Sequence, residues 1–159
     1  MSGSTAFPSC SFDFVSDELL RAILDSHYHQ AKTAWEAGSW GGSIVLLGSV
    51  AEGILTWRLL QTDVEQTAYV HYKQSNSGKA KADLKIEQWN LSDLIDVAKK
   101  LKLLGQTAEQ AAWAIKDFRN LIHPYNLIRQ GSARLDRALA LTCLGGLLRI
   151  VDSVAGRLS

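Results

Sequence analysis

The run Lys116-Asp117-Phe118-Arg119-Asn120-Leu121-Ile122-His123-Pro124-Tyr125 brings an ammonium, a guanidinium and an imidazole into one short stretch. Arginine presents a planar fork of donors matched to phosphate oxygens. Histidine exchanges a proton near neutral pH. Such a set suits cleavage of a phosphodiester without a metal ion, with His123 moving protons and Arg119 stabilising charge on the phosphoryl oxygens. Read as a helix and measured from Ile115, Arg119 lies at about 40°, His123 at about 80° and Lys116 at about 100°. The three therefore share one edge beside the apolar stripe of Ala111, Ile115, Phe118 and Ile122. A purely structural account of the same residues also exists. Cations four residues apart repel each other, and a carboxylate would hold them. Glu52, alone in an apolar run, is the candidate counter-charge for Arg119.

Five helices are expected to position this edge, giving an all-α fold. Residues 1–15 read as a flexible N-terminal tail and 16–159 as a single helical domain. Ser16 is the expected N-cap of the first helix, which carries Leu20, Leu24, Tyr28, Ala31 and Trp35 and ends at Gly38. The second helix, about Gly42 to Gln61, is apolar on most sides and so should be central. Its small residues Gly42, Ser49 and Gly53 suggest close helix approach, within the core or across a dimer interface. Residues 62–90 are expected to extend that helix to about Lys73 and then form a long loop around Ser75-Asn76-Ser77-Gly78. Asn90 caps a third helix that stops at Gly105. Thr107 and Gln110 read as a capping box for the fourth, which Pro124 ends. Ser132 is the expected start of the fifth, where Gly145-Gly146 again suggests close packing.

The chain has 159 residues, enough for one domain with a substantial core. Residues 1–98 hold 7 Lys/Arg against 12 Asp/Glu, a balance of −5, and residues 99–159 hold 10 against 4, a balance of +6. The basic half contains the Arg–His edge, which is compatible with a phosphate-bearing partner. Packed helices could equally mix the two halves in space. The two cysteines, Cys10 and Cys143, form no disulfide framework, and a reducing, cytoplasmic setting is the expectation. The N-terminus lacks the pattern of a signal peptide. The apolar run Gly41 to Trp57 contains Glu52 and reads as a buried helix instead of a membrane span.

The remaining candidates are weaker. His27, His29 and His71 match no metal-ligand spacing, so neither a metal nor a cofactor is expected. No glycine-rich phosphate loop or nucleophile elbow is present. Lys79, Lys81 and Lys85 make the 62–90 region basic and are candidate RNA contacts. Trp40 and Trp89 flank loops, where they could stack on bases or pack.

Arg119-Asn120-Leu121-Ile122-His123-Pro124, near the end of the fourth helix, resembles the signature of the HEPN superfamily. Two other stretches are similar to the same group: Gly48-Ser49-Val50-Ala51-Glu52-Gly53-Ile54-Leu55 and Leu91-Ser92-Asp93-Leu94-Ile95-Asp96-Val97-Ala98. The resemblance covers roughly residues 16–157. It implies a mostly antiparallel, dimerising helical bundle in which Arg119 and His123 of both protomers line one cleft. The implied activity is metal-independent endoribonuclease action, with Asn120, Lys116 and Glu52 auxiliary and the RNA 2′-hydroxyl as nucleophile. Such proteins serve in toxin–antitoxin modules, phage defence and RNA processing. His123-Pro124-Tyr125 resembles the ending of toxins paired with a nucleotidyltransferase antitoxin, which makes Tyr125 a candidate modification site as well as a candidate packing aromatic. Active ribonucleases of the superfamily usually place four to six residues between Arg and His, whereas three separate them here. That departure keeps a second reading open, a non-catalytic module that binds RNA, nucleotide or a partner protein.

Overall fold

A computed structural model describes residues 6–120 and 135–157 of the chain. Among the described residues the protein is all-α, with six α-helices, two short 3₁₀ turns and no strand. The helices are α1 (Glu18–Glu36), α2 (Trp40–Leu59), α3 (Glu65–Ser75), α4 (Leu91–Lys100), α5 (Gln106–Asn120) and α6 (Arg137–Val154).

α2 is the hub. A helix that is apolar nearly all round must be covered on most sides, and α1, α4, α5 and α6 all pack on α2. Ile44, Leu47, Val50, Ile54, Leu55 and Leu59 are completely enclosed. By length and composition alone α2 could cross a membrane; here it is the interior helix of a bundle.

α1 runs antiparallel to it. The Ser43 hydroxyl donates to the Ala31 carbonyl at 3.1 Å, and His27 Nδ1 lies 3.2 Å from Ser49 Oγ. Leu24 packs directly over Gly53. Ser49 and Gly53 thus serve the close approach their size suggests, and Gly42 meets both its own cap residue Ser39 and Ala34 of α1. On the other side of the bundle, Gly146 of α6 lets Ala111 and Ile115 of α5 come into contact. α4 and α5 are also antiparallel: Lys99 bonds Glu109 at 2.9 Å at one end, which leaves the start of α4 beside the end of α5.

Several sequence expectations are corrected. α1 is capped by Asp17, not Ser16; the carboxylate accepts from the Leu20 amide at 2.9 Å and suits the positive end of the helix. Residues 6–15 are not a loose tail. Phe12 and Val15 are buried, Phe7 packs on Tyr28 and Trp35, and the Tyr28 hydroxyl donates to the Pro8 carbonyl.

The largest correction concerns residues 62–90. The second helix does not continue to Lys73; a separate helix, α3, runs to Ser75, and the long connection expected after it spans residues 76–90 and carries two short 3₁₀ turns. α2 stops at Leu59, and Arg58 clasps Asp63 through both guanidinium nitrogens at 3.0 and 3.1 Å. The reversal returns Ala68 and Tyr72 of α3 to the core, where a straight helix would have carried them past it. Ile86 and Trp89 anchor the rest of the segment. Trp89 stacks on Tyr72 with ring centroids 4.0 Å apart. The bundle therefore has one helix more than expected among the described residues.

Asn90 does cap α4, accepting from the Asp93 amide at 2.9 Å. α5 begins at Gln106, so Thr107 is inside the helix and not its cap. α6 begins four residues after the position its expected start implies, capped by Asp136 accepting from the Leu139 amide at 3.0 Å. Pro124 and Ser132 themselves lie outside the described residues.

Two outcomes follow from this core. Ile54→Ala should lower unfolding free energy by about 2–5 kcal/mol, measured by urea denaturation; a loss below about 1 kcal/mol would contradict the hub role of α2. Burial also pushes the Cys143 thiol up to about 12 and the Cys10 thiol up to about 11, against an ordinary 9.0. The unfolded chain gives up these protons first. Their stabilisation is therefore complete below about pH 9 and is lost as pH rises through the folded values. The urea midpoint should fall between about pH 8 and about pH 10.5, and an unchanged midpoint would contradict the burial of both thiols.

Candidate functional site

Where the start of α4 meets the end of α5, over the flank of α2, lies an open cavity of about 380 Å³. Glu52, Asn90, Leu91, Ser92, Lys116, Arg119 and Asn120 line it. Four of the residues singled out from the sequence (Glu52, Lys116, Arg119 and Asn120) thus come together at one place. Three belong to one edge of α5, and the fourth arrives from a helix far away in sequence.

The local chemistry explains the arrangement. Ile115 is buried against α2 and α6, which fixes the rotation of α5. One turn later, Arg119 emerges at the rim of the core. Its aliphatic stem lies across Gly48 of α2, where an added Cβ would stand 3.2 Å from Arg119 Cδ. Arg119 Nη1 then donates to Glu52 Oε2. Gly48 and Glu52 are four residues apart and share a face of α2. The glycine provides the floor on which the arginine lies, and the glutamate holds its head. The pair is not deeply buried, with the side chains 39% and 36% exposed respectively. It therefore fixes geometry at the cavity wall and adds little to stability.

Lys116 reaches the same cavity from the preceding turn. Its ammonium lies 3.4 Å from the exposed Asp117 carboxylate and 5.5 Å from the centre of the Trp113 ring. On the opposite wall, Asn90 spends its side-chain oxygen on the α4 cap, and Ser92 follows in the first turn. The wall thus combines two cations, one carboxylate and several neutral hydrogen-bonding groups, a set that can receive an anionic, oxygen-rich ligand.

His123 and Tyr125 lie outside the described residues. The three candidate lysines are not brought together. Lys81 bonds Asp93 at 3.3 Å, next to Ser92 at the cavity edge, so its charge is offset there. Lys85 lines a separate hollow with Tyr69 and Lys73, and Lys79 is exposed on the 3₁₀ segment. Trp89 offers no face to a base, being 3% exposed and donating its indole N–H to the Leu84 carbonyl. Trp40 packs edge-on against Trp35.

Sequence reasoning missed Gly48, Asn90 and Ser92 as parts of this site. The spacing of Gly48 to Glu52 was a readable signal. Asn90 was legible as a cap, but nothing in the sequence placed that cap beside Arg119. A second, apolar groove adjoins the site, formed by Leu20, Ile23, Leu24, Trp57 and Leu60, and Glu52 borders it as well. Among the described residues there is no group of three or more His, Cys, Asp or Glu side chains suited to a metal ion. Comparison with known proteins finds no matching family model, no matching curated protein and no matching solved structure.

The geometry separates two kinds of substitution. Glu52→Gln should cost less than about 1 kcal/mol of stability, as for an exposed ion pair. Gly48→Val should cost about 1–3 kcal/mol, because the Arg119 stem and its neighbours must move. Denaturation of both variants checks this, and equal costs would mean that Arg119 does not lie across Gly48.

Proposed function

We propose that the protein is a HEPN-like, metal-independent endoribonuclease that works as a homodimer, with Arg119 and His123 of two protomers forming a composite site. The observation that carries this reading is the convergence of Lys116, Arg119 and Asn120 on one cavity, with Arg119 held in place by Glu52. An oriented guanidinium is the group needed to stabilise charge developing on a phosphoryl oxygen. In the reaction, the RNA 2′-oxygen attacks the adjacent phosphorus and the 5′-oxygen of the next nucleotide departs. His123 takes the proton of the attacking hydroxyl, and the His123 of a second protomer returns a proton to the leaving oxygen. The products are a 2′,3′-cyclic phosphate and a free 5′-hydroxyl.

Dimerisation is supported by the face of α1 beside the apolar groove, where Leu19 is 74% and Ile23 43% exposed. Exposed side chains of this size, next to a groove that borders Glu52, suit a second copy packed close to the site. Two free cysteines fit a reducing, cytoplasmic setting. A role in a toxin–antitoxin or phage-defence system belongs to the same reading, with Tyr125 as the residue that a nucleotidyltransferase-type antitoxin would modify.

A second reading, a non-catalytic module that binds RNA, nucleotide or a partner protein, draws on the engagement of Arg119 by Glu52 and on the three-residue gap before His123. One experiment separates the two. RNA is incubated with wild type, Arg119→Ala and His123→Ala in the presence of a chelator. Cleavage by wild type, reduced roughly 10²-fold or more in both variants, is the expected result. Cleavage that survives both changes would remove these residues from the mechanism. RNA binding by wild type without cleavage would select the second reading.

A further inference from the structure

We propose that the cavity between α4 and α5 is a subsite for a single nucleotide, gripping its phosphate with Lys116 and Arg119 and seating its base on the indole of Trp113. The inference deepens the ribonuclease reading and rests on it only in taking this cavity as a place where polynucleotide is held.

Three features point the same way. The first is size. About 380 Å³ lies at the low end of the range for small-molecule sites, roughly 300–1,000 Å³, which suits the phosphate and sugar of one nucleotide, with the Trp113 ring about one turn of α5 outside the lining. The second is the donor set. Arg119 commits Nη1 to Glu52, and a guanidinium has five N–H donors, so part of its fork remains for an anion. Lys116 stands one turn away on the same wall. Ser92 lines the opposite wall and offers a hydroxyl to a phosphate oxygen or a sugar.

The third feature is the position of Trp113. Trp113, Lys116 and Asn120 follow one another at intervals of three and four residues, so they form a row along one edge of α5. Trp113 is half-buried, and the Lys116 ammonium lies 5.5 Å from its ring centre. A lysine poised between an aromatic face and an anion-accepting cavity can turn from the ring to a phosphate. The ring face it leaves is then open to a base, and stacking on an aromatic is tolerant of base identity. Trp89, the tryptophan that the sequence made a candidate for this role, is packed away.

The negative groups facing the site are consistent with this orientation. Glu52 lines the cavity beside Arg119, and its carboxylate is engaged by that guanidinium. Asp93 is engaged by Lys81. Asp117, 66% exposed, is engaged by Lys116.

The test uses the full-length protein and ligands that contain no scissile bond. AMP, GMP, CMP, UMP, inorganic phosphate and adenosine are each titrated by calorimetry and by tryptophan fluorescence. The monophosphates should bind at least tenfold tighter than phosphate or adenosine alone, with modest differences among bases, and should quench fluorescence. Lys116→Gln should weaken them about tenfold or more. Trp113→Phe should keep most of the calorimetric affinity while abolishing the quench, which assigns the signal to this one of the five tryptophans. Monophosphates that bind no tighter than inorganic phosphate, a quench that survives Trp113→Phe, or affinity indifferent to Lys116→Gln would each overturn the proposal. The two readings fail separately. Mononucleotide binding as described without RNA cleavage would sink the ribonuclease assignment and leave the subsite standing. RNA cleavage without such binding would do the reverse.

Discussion

The fold depends on covering α2. A twenty-residue helix with apolar side chains on almost every face has no stable place in water, so the other helices must surround it. α1, α4, α5 and α6 do so, with Gly53 easing the approach of α1 and Gly48 that of α5. The cover leaves Glu52 as the one carboxylate of α2, at the rim where α5 passes. A carboxylate at such a rim is best placed beside a cation that can also reach water, and Arg119 is that cation. The requirement to bury α2 and the orientation of the candidate site are therefore linked. The rotation of α5 that buries Ile115 also lays Arg119 across Gly48 and against Glu52.

That link explains why the site lies on the flank of the bundle. Interior positions are filled by apolar side chains, and the described residues leave no buried side-chain nitrogen or oxygen without a partner. The chemistry-bearing groups are half exposed, on the edge where α5 turns from core to solvent. Here ion pairs orient side chains more than they stabilise the fold, and their partners can be exchanged for a ligand at little cost. The polar cavity and the neighbouring apolar groove meet at Glu52. One residue thus borders both a surface suited to an anion and a surface suited to an apolar partner.

The sequence by itself determined the all-α class, the central position of α2, the cap at Asn90 and the pairing of Arg119 with Glu52. Each rests on a local or near-local rule: hydrophobic period, cap chemistry, or the rarity of a lone carboxylate in an apolar helix. Tertiary structure decided what those rules do not reach. Asp17 and Asp136 took the caps expected at Ser16 and Ser132, because several polar residues near a helix start can all cap and packing selects among them. Residues 62–90 read as a continuation of the second helix to about Lys73 followed by a loop, because no local pattern marks the reversal after Leu59 and the later apolar residues are too sparse to show a period. Yet Ala68, Tyr72, Ile86 and Trp89 each have a place in the core. Residues 6–15 were likewise docked by a few aromatics, Phe7 and Phe12 on rings of α1 and Phe14 on Trp57 of α2. The site shows the same division. The edge shared by Lys116 and Arg119 could be read from helical spacing within α5, whereas Trp113 was not singled out by its spacing. That Ser92 and the cap at Asn90 form the opposite wall follows from the antiparallel packing of α4 on α5, a contact between segments whose relation no local pattern encodes.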